Sequence, residues 1–343
     1  MPKPYISSDR KDIHLKLALD DQVRSNATAG FDSVKLTHCA LPEISLSEVQ
    51  LGLRILNREL NAPLFIGAMT GGTSRSNDIN RALARIAAAE GIGLAVGSQR
   101  ASLEQNWSQA ELRNLAPSVP LIGNLGGIQL AEPGGLDLAR RAVDDLEADA
   151  LAIHLNPLQE AVQPEGESDW KNVANAIEKA VASLPCKIIV KEVGAGISVP
   201  VAKRLVDCGV WAIDVAGLGG TNWTRIEAAR GTNAEIYAPF LDWGIPTVTC
   251  LRDVKAAIPK SVVIASGGIR HGLDAAKAIW LGSSIVSVAG PILRALVGQQ
   301  VGVPNETAAS SVIKNFKAQM RLALFLTGAN NIEVFRSVDG DIS

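Results

Sequence analysis

The sequence predicts an α/β chain folded as a (β/α)8 TIM barrel with an N-terminal extension and a C-terminal helix. Three observations lead there. Eight short apolar runs alternate with helix-patterned stretches across residues 62–300. No run is followed by GxGxxG, the turn an open dinucleotide-binding sheet would carry. Polar side chains recur after nearly every run, as a barrel needs when its site is collected from all strand ends.

In chain order, Ser8 to about Leu19 reads as an N-capped helix start, with Arg10 and His14 on one face. Val34–Thr37 and Leu53–Leu56 read as short strands of a lid or a barrel floor. Residues 1–60 are an extension; residues 61–343 are the barrel and its terminal helix. The barrel strands are expected at Leu64–Met69, Ile92–Gly97, Pro120–Gly123, Ala150–Leu155, Ile188–Val190, Trp211–Val215, Val262–Ala265 and Ile285–Ala289. Helices are expected at Ser76–Ala89, Leu136–Glu147, near Val254, at Leu273–Leu281 (closed by Gly282) and at Thr307–Leu326.

Composition narrows the function. Thirty-three basic residues against 35 acidic ones give a net charge of −2, which argues against a nucleic-acid surface but allows a local basic pocket. The four cysteines form no CxxC pair, so neither a disulfide frame nor a zinc site is expected. The polar N-terminus lacks a signal-peptide core and no apolar run reaches membrane length, which fits a cytoplasmic protein.

The stretch Val262–Gly290 carries the clearest chemistry: strand, Ser266-Gly267-Gly268 turn, helix, strand, Gly290 turn. After the last two strands of a barrel, such turns are the usual phosphate site, and Arg270 supplies a matching cation. A second cation group, Arg10, Lys11, Arg100 and His154, could hold a more highly charged ligand. Lys191, at a strand end, is open to three readings: a Schiff-base lysine, a cation for the pyrimidine end of a flavin, or a salt-bridge partner of Glu192. Glu160 is the carboxylate beside the His154 group, and a cation such as Mg2+ requires a carboxylate plus substrate phosphates. Gln159 and Glu160, taken as one extended segment, would point to opposite sides.

Taken together, several stretches resemble the type 2 isopentenyl diphosphate isomerases: Arg10–Leu15, Ala68–Gly72, Gly97–Arg100, His154–Glu160, Lys191–Gly194, Gly219–Trp223 and Ser266–Arg270. They stand in family order over about residues 8–295. The resemblance implies an FMN barrel that interconverts isopentenyl and dimethylallyl diphosphate with reduced FMN, Mg2+ and NADPH as reductant, without net redox change, as a homo-oligomer. It implies that Ala68, Met69, Thr70, Ser98, Asn124, Lys191 and Thr221 surround the flavin, and that Gly268, Ile269, Arg270, Ala289 and Gly290 hold its phosphate. Arg10, Lys11, Ser98, Gln99, Arg100, His154, Asn156 and Gln159 would face the substrate, with Arg10 and Lys11 closing over it. Glu160 would bind Mg2+; Gln159 and His154 are the candidate catalytic side chains. The chain departs from the family at Asn222, where Ser is common, and at Leu94-Ala95-Val96, where bulkier residues are common.

Two other functions share parts of this pattern. An FMN-dependent 2-hydroxy-acid oxidoreductase would carry a histidine base after the sixth strand, where Gly217–Thr221 stands. A non-catalytic phosphate-binding barrel would not need the second cation group.

Overall fold

The computed structural model describes residues 17, 19, 23, 25–69, 71–231, 234–298 and 303–343. Arg10, Lys11, His14 and Thr70, and most of the helix expected from Ser8, lie outside the described residues.

Eight parallel strands close into a barrel. They are β1 Leu64–Ile66, β2 Gly93–Ala95, β3 Leu121–Gly126, β4 Ala150–Leu155, β5 Lys187–Glu192, β6 Ala212–Asp214, β7 Val262–Ala265 and β8 Ile285–Val288. Covered by helices outside and by packed side chains inside, such strands bury both faces and read as unbroken apolar runs. All of β3 is buried.

The boundaries differ from the sequence reading in an informative way. β3 continues through Asn124 and β5 through Lys191 and Glu192, so these polar residues lie within strands rather than after them. An apolar run ends at the first polar side chain; a barrel strand ends where its hydrogen-bond ladder does. Across the mouth, Gly126 pairs with His154, His154 with Lys191, and Lys191 with Asp214, which sets four positions in one row.

The helix Ser74–Glu90 begins where the Thr73 hydroxyl accepts from the Ser76 N–H and stops at Gly91, whose φ of 62° ends the helical path. The floor is a hairpin, Leu53–Ile55 with Arg58–Leu60, turning through Leu56 and Asn57 at φ 49° and 60°. Arg58 reaches Asp149, just before β4, at 3.1 Å, which fixes the hairpin beneath the barrel. The other short strand, Val34–Leu36, pairs antiparallel with Gly340–Ile342.

The helix Glu306–Phe325 packs on the helices Ser74–Glu90, Gly272–Trp280 and Gly290–Val297 through Ala309, Ile313, Phe316 and Met320. Glu90 is buried at that seam, paired with Lys317 and accepting from the Ser310 hydroxyl at 2.5 Å. Burial raises its carboxyl, but Lys317, Ser310 and Lys314 together outweigh burial and hold it below its ordinary value. Glu90→Leu should destabilise the fold by about 3 kcal/mol, because Lys317 keeps a half-desolvated charge without its partner. The loss should appear in urea unfolding at pH 7. In the parent protein this contribution is present above the unfolded value of 4.5 and disappears as pH falls through the lower folded value. A pH-independent difference between the two proteins from pH 7 to 3 would contradict the ion-pair account.

Candidate active site

A cavity of about 900 Å³ opens at the C-terminal ends of the barrel strands. The structure brings most of the sequence-nominated residues to it: Ala68, Met69, Ser98, Arg100, Asn124, His154, Asn156, Gln159, Glu160, Lys191, Thr221, Gly268, Ile269, Arg270, Ala289 and Gly290.

Gln99 is different. It is fully buried behind the wall, where its amide donates to Ala142 O at 3.1 Å and accepts from Asn124 N at 2.9 Å. Both ends of the side chain are therefore spent on fixing β3, and Gln99 does not face the substrate side.

On one side of the cavity the loops after β6 and β7 meet backbone to backbone. Gly267 sits at φ 96°, and a Cβ there would lie 2.1 Å from Gly217 O. The buried Thr247 hydroxyl lies within hydrogen-bond reach of the carbonyls of Gly267 (2.8 Å) and Leu218 (3.0 Å), and ties the two loops. Gly290 opens the helix Gly290–Val297, with Pro291 in its first turn. Bare backbone and a helix N-terminus make a phosphate-sized cradle, so the residues present fit the phosphate of FMN. Arg270 beside it is not a free cation. It forms a two-pronged pair with Asp274 (2.9 and 3.2 Å) and reaches Asp32 at 3.1 Å. Hydrogen bonds to Asp274 and Asp32 push its value well up. The anion attraction of the cradle thus rests more on backbone N–H groups than on Arg270.

The centre holds the polar row. His154 Nδ1 lies 2.8 Å from Asn124 Oδ1. Desolvation first, and the Lys191 charge second, lower His154 from 6.5 to about 3. A neutral imidazole donating from Nδ1 leaves Nε2 as an acceptor. The expectation that His154 adds positive charge to the substrate end is therefore corrected to a hydrogen-bonding role. Lys191 faces buried Asp214, whose carboxyl is raised by burial despite Lys191, the Ser266 hydroxyl at 2.6 Å and the Ala216 N–H. Lys191 is not a partner of the Glu192 carboxylate. That carboxylate is buried and accepts the N–H groups of Val193 (2.7 Å) and Gly194 (2.6 Å), while Lys191 donates to the Glu192 carbonyl.

The far side is built by Pro157–Val162, which is a short helix and not an extended segment. Gln159 and Glu160 therefore stand about 100° apart rather than on opposite sides. The Asn156 amide donates to both, at 3.2 Å to Gln159 and 2.9 Å to Glu160. Gln159 in turn donates to the fully buried Glu227 at 3.1 Å, and Glu227 also binds Arg230. Arg100 closes this side, bonded to Glu104 at 2.9 Å and Glu167 at 3.1 Å.

Asp214, Glu227, Gln129 and Glu167 also line or support the cavity, and sequence reasoning had passed over them. Asp214 carried a signal, a charged residue inside an otherwise apolar run. Glu227 lies in a short helix, Trp223–Arg230, with no clear apolar face, and carried none. Among the described residues no three potential metal ligands cluster, so a cation at Glu160 would need ligand oxygens as well, which is the habit of Mg2+.

The FMN-dependent dehydrogenase family matches residues 138–338. An isopentenyl-diphosphate delta-isomerase of Xanthobacter autotrophicus is 47% identical over 338 residues, 96% of each chain. One from Stutzerimonas stutzeri is 47% identical over 95% of each. One from Synechocystis is 48% identical over 83% of each. Among solved structures, a mandelate oxidase with an FMN adduct superposes with a TM-score of 0.68 at 19% identity, covering 96% of this chain and 92% of its own. That likeness confirms the barrel alone. Near-full-length identity of this size, on a barrel with a phosphate cradle and an Asn156–Gln159–Glu160 cluster in one mouth, places the chain in the FMN-dependent isopentenyl-diphosphate delta-isomerase family.

Proposed function

We propose that this protein interconverts isopentenyl diphosphate and dimethylallyl diphosphate by adding one proton and removing another, with FMN held in the mouth of the barrel. The observation that carries the reading is that one cavity joins the glycine cradle to a separate cationic and carboxylate end at Arg100 and Glu160. That is room for a bound flavin and a second phosphorylated ligand against it.

In this reading Gly268, Ile269, Ala289 and Gly290 take the FMN phosphate through backbone N–H groups. Ala68, Met69, Thr70, Ser98, Asn124 and Thr221 line the flavin, and Lys191 faces its pyrimidine end. Reduced flavin, when bound, supplies a ring edge able to give and take a proton. The chain does the rest. Arg100, with Arg10 and Lys11 from the extension of residues 1–60, binds the diphosphate. Glu160 holds Mg2+ against it. Asn156 fixes the orientation of Gln159 and Glu160, and Gln159 positions the alkene. His154 offers a neutral acceptor. In this reading Arg10 and Lys11, closing over the mouth, keep water from the reacting carbons, which matters because an alkene is a weak base. NADPH as the reductant, a homo-oligomer and a cytoplasmic setting complete the proposal. Among the described residues no helix is long and apolar enough to cross a membrane.

A 2-hydroxy-acid oxidoreductase is the weaker alternative. Its base would need a value near neutrality, whereas the cavity histidine is held at about 3.

The test is turnover of isopentenyl diphosphate with reduced FMN and Mg2+, with and without NADPH. Glu160→Gln should raise the Mg2+ concentration for half activity roughly tenfold or more, with flavin still bound. Gln159→Ala should lower kcat about tenfold to a hundredfold at saturating Mg2+. A parental Mg2+ titration in Glu160→Gln would move the metal ligand elsewhere. Oxidation of a 2-hydroxy acid without isomerase turnover would overturn the reading.

A further inference from the structure

Residues 163–170 fold back over the far side of the mouth. Gly166 N donates to Gln163 O and Glu167 N donates to Glu160 Oε2, both at 2.9 Å. This delivers the Glu167 side chain into the cavity. One carboxylate oxygen accepts from Arg100 at 3.1 Å, and the other from the Gln129 amide at 2.6 Å.

Gln129 is a buried side chain, 7% exposed, on the short helix Gly127–Ala131 that follows β3. A Cβ at Gly126 would lie 1.8 Å from Gln129 Oε1. The oxygen end is thus packed against bare backbone, and the NH2 end faces the mouth. A guanidinium and a buried amide donor, aimed at the two oxygens of one carboxylate, form an anion-binding pair. The group occupying it comes from a surface loop of the same chain.

We infer that Glu167 is a placeholder in the anion site. It neutralises Arg100 and satisfies Gln129 until a phosphate of the substrate displaces it, and Gln129 then becomes a substrate-positioning residue. The inference rests on the proposal that Arg100 meets a diphosphate. Its physical consequence is a threshold. An open guanidinium would accept any small anion, while one already held by Glu167 and Glu104 yields only to a ligand that replaces several bonds at once. Mg2+ and the anion are also coupled. Glu160 Oε2 holds the Glu167 N–H, so a carboxylate turning toward Mg2+ releases the loop that carries the placeholder.

The experiment is calorimetric titration of the FMN-loaded protein with inorganic pyrophosphate, with and without Mg2+. Glu167→Gln should bind pyrophosphate roughly fivefold or more tightly, discriminate less against orthophosphate, and show a weaker Mg2+ dependence. Its KM for isopentenyl diphosphate should fall, and Gln129→Ala should raise it. Glu167→Ala is the second variant, and retained flavin absorbance confirms that each variant is folded. Unchanged or weaker pyrophosphate binding in both Glu167 variants, with Arg100→Ala still weakened, would falsify the placeholder and leave the diphosphate reading standing. Parental binding in Arg100→Ala would remove both.

Discussion

Gly267→Ala should cost the protein its flavin. The substitution places a side chain at φ 96°, and its Cβ would come within 2.1 Å of Gly217 O and 2.8 Å of the Thr247 hydroxyl. The clashing groups are backbone and a buried hydroxyl, so nothing can swing aside. The loops after β6 and β7 must part. Backbone strain of roughly 1–2 kcal/mol adds to an overpacking cost of about 1–3 kcal/mol. An FMN affinity loss of about a hundredfold or more follows if that cost falls mainly on the loaded state. Gly298→Ala is the control. Its φ is 66°, and among the described residues a Cβ there meets nothing within 4 Å, so it carries the strain without the collision. Fluorescence titration of each apoprotein with FMN reads the difference. Equal affinities in the two variants would show that the cradle is not built on this contact.

The second large effect is expected from Lys191→Met. Asp214 is 4% exposed, and its carboxyl is already raised by burial. Without Lys191 it rises further and binds a proton nearer neutrality. A carboxyl raised in the folded state stabilises least at high pH, because the unfolded chain, near 3.8, gives up the proton first. The variant should therefore lose about 3 kcal/mol at pH 8 and visibly less at pH 5. His154 reports on the same change from the other side. Its folded value near 3 lies below the unfolded 6.5, so its contribution is present above 6.5 and lost as pH falls toward 3. Burial keeps most of that depression in the variant, but losing the Lys191 charge should move the imidazole upward, visible by NMR. A stability loss equal at pH 5 and pH 8 would show that Asp214 does not titrate as argued.

The barrel could be read from the chain because its strands are buried on both faces and its glycine turns recur at strand ends. The cradle was legible because two glycine turns, Ser266-Gly267-Gly268 and Gly290, close neighbouring strands with Arg270 between them; one such turn alone usually only turns the chain. Charge states were not legible. Arg270 and His154 look alike in sequence, as cations near a phosphate, yet one is matched by Asp274 and Asp32 and the other is desolvated into neutrality. Such outcomes depend on partners far away in the chain. Gln99 shows the same limit: the family resemblance put it on the substrate side, and only the packing of β3 reveals that it points backward. Glu227 and Gln129 reach the site from short helices, Trp223–Arg230 and Gly127–Ala131, that carry no amphipathic pattern and were not expected from the sequence.

The pairing of Val34–Leu36 with Gly340–Ile342 bears on the order in which the protein can be completed during synthesis. The turn before that strand carries Phe31, whose carbonyl accepts from Lys277, and Asp32, which holds Arg270. Ser343 N donates to Ser33 O at 3.0 Å, on the same turn. A ribosome-bound chain extended through the helix Gly290–Val297 has every barrel strand and both glycine turns, but Val34–Leu36 lacks its partner and the outer wall of the cradle is held by side chains alone. The pairing joins segments at opposite ends of the sequence and forms late for that reason. Chains cut before residue 340 should therefore hold flavin less tightly than chains that carry this pairing.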